Sequence, residues 1–98
     1  MDAALERQYA VLIRERRFAE IKAWVKQTGQ KPPVPVVEDR HRIYLREDDF
    51  DGIAGLLDAS GIPPNAEHVK ARYAIYVREK NDKYAARLSE VTGYNKKK

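Results

Sequence analysis

The sequence predicts a small α+β domain, mostly α-helical: two long helices and one short helix packed with a small β-hairpin. Three observations carry that expectation. Apolar residues recur at helical spacing over residues 3–28 and again over 65–92. His41 to Arg46 alternates instead, with Ile43 and Leu45 on one side and Arg42, Tyr44 and Arg46 on the other. Glycines and prolines punctuate the chain at residues 29–35 and 61–64.

The first helix is expected over residues 3–28, with Asp2 as its N-cap and Gly29 followed by Pro32 as its stop. At 100° per residue it has two apolar sides. Leu5, Tyr9, Leu12 and Ile13 gather on one. Val11, Phe18, Ile21 and Val25 gather on the other, with Trp24 between them. A surface helix of a small domain needs a single stripe, so the second side asks for another partner. Leu5, Tyr9, Leu12 and Ile13 lie at the free end and are the expected partner-binding face.

Residues 33–46 read as an extended stretch and hairpin. The prolines at 32, 33 and 35 each remove a donor and push the preceding residue out of the helical region. Residues 34–37 then pair with 42–45, the proline-bearing strand at the edge. A short helix follows at 49–59, capped by Asp48 or Asp49, with Phe50, Ile53, Leu56 and Leu57 as its buried stripe. Gly52 and Gly55 weaken it in isolation, so tertiary packing must hold it. Gly61 ends it in a left-handed turn, with Ile62 folding back. Asn65 caps the last helix, 65–92, whose stripe is Val69, Tyr73, Tyr76, Val77, Tyr84, Leu88 and Val91. At ~1.5 Å per residue that helix would span about 40 Å, and Asn81-Asp82 is the natural place for a break. The expected core is Phe18, Ile21, Trp24, Val25, Leu45, Phe50, Ile53, Leu57, Tyr73, Tyr76, Val77 and Leu88. No internal repeat stands out. The domain occupies residues 1–95, and Lys96, Lys97 and Lys98 form a flexible basic tail.

Composition narrows the function. The chain has 98 residues, enough for one domain, and no cysteine, which excludes disulfides and thiolate metal sites. The start lacks a signal-peptide apolar run, and no stretch approaches the ~18 apolar residues of a membrane span. A cytoplasmic protein without membrane contact is expected. The net charge of +4 is shared unevenly: +2 over residues 1–30, −3 over 31–64 and +5 over 65–98, three of the last being the terminal lysines.

Chemical signatures are weak. Glu47, Asp49, Asp51, Gly52 and Asp58 match some positions of a calcium loop, but position 1 should be Asp and position 12 a bidentate Glu. Carboxylates at a helix start have a simpler cause in the helix dipole. His41, expected on the hairpin's solvent side, and His68 have no partner at zinc-motif spacing. Ser60 and Ser89 sit near helix ends, with no nucleophile elbow and no phosphate-cradling glycine loop. Pro32-Pro33-Val34-Pro35 has a P-x-x-P spacing that a stiff linker explains as well. Residues 56–65 have only the outline of a helix-turn-helix. No catalytic residue, metal or cofactor is expected. The expected function is a small non-enzymatic interaction protein that self-associates, or docks a protein partner, through Leu5, Tyr9, Leu12 and Ile13. The alternative is a nucleic-acid-binding accessory protein using Arg72, Lys83, Arg87 and Lys96–Lys98.

Overall fold

The computed structural model describes residues 3–95 and contains six helices and no strand among them. They are α1 (Ala3–Arg14), α2 (Phe18–Thr28), α3 (Val34–Arg46), α4 (Phe50–Ser60), α5 (Ala66–Arg78) and α6 (Asp82–Thr92). Each odd helix packs on the even helix after it, giving three helical hairpins. α1, α3 and α5 stack as one layer and α2, α4 and α6 as the other. The core lies between the layers, and the stack measures 44 × 24 × 19 Å. The predicted α+β class is therefore corrected to an all-helical array. Asp2 and Lys96–Lys98 lie outside the described residues.

The stack is a repeat of 32 residues. Arg16, Asp48 and Lys80 all have positive φ, at 59°, 57° and 57°. Gly29, Gly61 and Gly93 follow in the same register, at 71°, 71° and 77°. The first set closes each hairpin with the paired bonds of a Schellman turn. Arg17, Asp49 and Asn81 donate to the carbonyls of Leu12, Tyr44 and Tyr76 at 2.9, 2.9 and 2.8 Å. The second set caps the even helices. Thr28, Ser60 and Thr92 bond back to Trp24, Leu56 and Leu88 at 2.8, 2.7 and 2.7 Å, and each hydroxyl also accepts from the amide two residues on. Among all 32 positions only Arg14-Glu15 and Gly29 keep the same letters in Arg46-Glu47, Gly61 and Arg78-Glu79, Gly93. The rest of the repeat is chemical class: Leu5, Val37 and Val69; Ile13, Leu45 and Val77; Trp24, Leu56 and Leu88.

This architecture explains where the sequence misleads. Residues 3–28 form two helices, not one, because the two apolar sides, the exposed Val11 apart, belong to two antiparallel segments that face each other. The first helix's missing partner is its own second half. Placing the non-glycine Arg16 in a left-handed conformation costs about 1–2 kcal/mol, which the burial of both sides offsets at roughly 1.5–3 kcal/mol per large side chain. The predicted hairpin at 33–46 is instead α3, with Pro33 at its N-cap and Pro35 in its first turn, where a missing N–H costs nothing. Its buried residues Val37, His41, Tyr44 and Leu45 have helical spacing that the short alternation at 41–46 conceals. The 65–92 segment breaks at Glu79-Lys80-Asn81, where Asn81 Oδ1 accepts from Tyr84 N at 3.2 Å. The short helix forms at Phe50–Ser60 with Asp49 as N-cap, and Gly61 caps its end.

Most of the expected core is covered, but Val77 is 54% exposed. Its equivalents Ile13 and Leu45, at 1% and 3%, lie under the next odd helix, and none follows α5 among the described residues.

One tie recurs with a changed residue. Tyr9 Oη donates to the Gln30 carbonyl at 2.7 Å, holding the linker after α2. His41, fully buried rather than solvent-facing, makes the equivalent contact from Nε2 to the Ile62 carbonyl at 2.9 Å. Tyr73 stacks edge-on with Tyr94 in the third hairpin, 5.2 Å between centroids. Because a carbonyl only accepts, His41 carries its proton on Nε2; Nδ1 has no partner. Burial holds its pKa below the ordinary imidazole range, against the opposing pull of the Ile62 carbonyl and Glu38. The unfolded imidazole, near 6.5, thus binds a proton first. Stability contributed by neutral His41 is complete above that pH and is lost as pH falls toward the folded value. His41→Tyr, installing the residue of the flanking repeats, should flatten the fall in urea midpoint between pH 7 and pH 5. An unchanged slope would show that another group carries it.

Candidate binding face

Of the expected partner face, Tyr9, Leu12 and Ile13 are 0%, 5% and 1% exposed and belong to the domain's own core, with Leu5 packed half-buried against them. Tyr9 stacks edge-on with Trp24, 6.0 Å between centroids. The side that looked free is covered by α2 and α3. Three of the four side chains named for that face are therefore enclosed by α2 and α3, and Leu5 alone keeps partial exposure.

The nucleic-acid set is divided between two faces. Arg72, on α5, donates to Asp48 Oδ1 at 2.8 Å, to the Arg46 carbonyl at 3.2 Å and to Tyr76 Oη at 3.3 Å. Asp48 also accepts a short bond from Tyr76 Oη. Burial raises the Asp48 pKa, but the bonds from Tyr76 and Arg72 outweigh it and hold the carboxyl below its usual range. The Tyr76 hydroxyl is pushed up to about 12 by burial and by that bond. Arg72 is therefore a brace between the α3–α4 turn and α5. Arg87, on α6, pairs with Asp51 at 3.0 Å and Glu90 at 2.8 Å. Of the set's described residues, only Lys83 stands exposed without an ion pair among the described residues.

The acidic cluster resolves in the same way. Asp48 holds Arg72, Asp49 pairs with Arg16 and caps α4 by accepting from Gly52 N at 2.9 Å, and Asp51 pairs with Arg87. Burial raises the Asp49 pKa, yet the Arg16 and Gly52 bonds bring it below the usual value. No group of three His, Cys, Asp or Glu side chains among the described residues could hold a metal ion. None of their helices is long and apolar enough to cross a membrane.

What the structure assembles instead is a pair of equivalent grooves on the odd-helix face. The first, of about 500 Å³, lies between α1 and α3 and is lined by Ala10, Ile13, Arg14, Pro35, Val36, Asp39 and Arg40. The second, of about 210 Å³, lies between α3 and α5 and is lined by Arg42, Leu45, Arg46, His68, Ala71, Arg72 and Ile75. Six of the seven positions correspond at the 32-residue offset; Arg42 in place of Ala10 helps to make the second groove narrower. Each has an apolar floor and an exposed arginine on its rim, Arg14 or Arg46, a position that Arg78 repeats. Arginine at a helix C-terminus also complements the dipole. However, among the described residues no carboxylate pairs with Arg14, Arg40, Arg46 or Arg78, whereas Arg42 is tied to Asp39 at 2.7 Å. Sequence reading missed these grooves because their two walls belong to segments expected as strand and helix. The offset of Arg14-Glu15, Arg46-Glu47 and Arg78-Glu79 was the available signal. No family model, curated protein or solved structure matches the chain.

Proposed function

We propose that the chain is a non-enzymatic docking module that holds an extended, acidic segment of a partner protein along the α1–α3–α5 face. The observation that carries this reading is one groove present twice, with an unpaired arginine at the same place on each rim. Arginine offers carboxylates a planar, two-pronged donor, and the floors Ile13–Val36 and Leu45–Ile75 accept aliphatic side chains. The grooves have no tyrosine, tryptophan or phenylalanine on which bases would stack, which favours a peptide over single-stranded nucleic acid.

Fluorescence anisotropy with a labelled twelve-residue oligoglutamate and an oligothymidylate of equal charge tests the reading. Arg14→Glu with Arg46→Glu should abolish oligoglutamate binding at moderate salt while leaving the helical circular dichroism intact, because both side chains are exposed. Lys83→Glu, on the opposite layer, should change little. Equal losses from both variants, or tighter binding of the oligothymidylate that depends on Lys83, would replace the proposal with the nucleic-acid alternative.

A further inference from the structure

Resting on that docking reading, we infer that the face selects its partner by spacing: acidic residues at every third position of an extended segment. Arg14, Arg46 and Arg78 occupy one position on three successive odd helices, each the last residue of its helix. Packed neighbouring helices lie about 8–10 Å apart. A peptide in the extended polyproline II conformation advances about 3.1 Å per residue and returns a side chain to the same face every third residue, so three residues span one step. Carboxylates at i, i+3 and i+6 therefore meet the three rims in turn. The residues between them cross the apolar floors, Ile13 with Val36 and Leu45 with Ile75.

The third step has a counterpart too. Val77, 54% exposed beside Arg78, offers the same apolar-then-arginine pair as Ile13-Arg14 and Leu45-Arg46, uncovered on one side. A spacing of two or four residues would bring one carboxylate to a rim and leave the others over apolar floor. There a charge loses water without gaining a partner.

Three labelled peptides of one composition test this, each with three glutamates among valines and serines. The glutamates are separated by one, two or three residues, and a central proline keeps each chain extended. The peptide with two intervening residues should bind about five-fold tighter than either other, the size of one exposed charge pair. Arg46→Ala, removing the middle rim, should erase that preference. Equal affinities for all three, still lost in the Arg14→Glu/Arg46→Glu variant, would overturn the spacing rule while leaving the docking module in place. Failure of every peptide to bind would overturn both.

Discussion

Leu12→Asp should abolish the folded state, with the cooperative thermal transition gone and helical circular dichroism lost at 25 °C. Leu12 is 5% exposed and sits between Tyr9 and Ile13 in the core shared by α1, α2 and α3. A carboxylate forced into that apolar cluster loses its water, which costs several kcal/mol. A domain of this size has about 5–15 kcal/mol in total and sits toward the lower end. The same substitution separates two views of α1. Were its apolar side a docking surface, the variant would fold and only its mass by light scattering would change. A well-folded monomer would favour the partner face over the core role that burial gives these residues.

Gly55→Val is the second large effect. A Cβ at position 55 would stand 2.5 Å from Cδ2 and 2.6 Å from Cε2 of Phe18, closer than such atoms come in practice. Gly55 thus lets α4 approach α2, the most closely packed pair in the even layer. Valine recovers some helix propensity over glycine, a few tenths of a kcal/mol. Overpacking a site with rigid neighbours costs about 1–3 kcal/mol and wins. The urea midpoint should fall by an amount equivalent to about 2 kcal/mol. Adding Phe18→Ala should recover part of the loss, since the two residues touch and their effects should not add. A Gly55→Val chain as stable as the parent would mean that α2 can move away at no cost.

The local signals that proved readable are those written in single residues. Asp49, Asn65 and Gly61 cap or stop helices where their chemistry says they should, and Phe50, Ile53 and Leu56 are buried as their spacing implies. What was not readable depends on contacts across the stack. Nothing in Arg14-Glu15-Arg16-Arg17 breaks a helix, since all four are good helix formers; the turn exists because α1 and α2 bury each other. Six alternating residues at 41–46 imitate a strand, and only the longer spacing from Val37 to Leu45 shows the helix. The repeat was hidden because so few letters recur; hydroxyl before glycine (Thr28, Ser60, Thr92) and aromatic or imidazole at 9, 41 and 73 were its faint marks. The grooves could not be found without the repeat, since each wall is supplied by a different hairpin.

The order of stacking also governs how the molecule comes apart. The first and third hairpins meet the second far more than each other, so interactions pass between nearest neighbours in a line. α4, flanked by α2 and α6, has company on both sides; α1 and α5 have it on one. Breathing therefore begins at the ends and reaches the middle last, and the backbone amides of Ile53 and Leu56 mark the most slowly exchanging centre. Protection is therefore shallow at the outer helices and deepest at α4, although the three hairpins still unfold as one unit because each outer hairpin packs on the middle one.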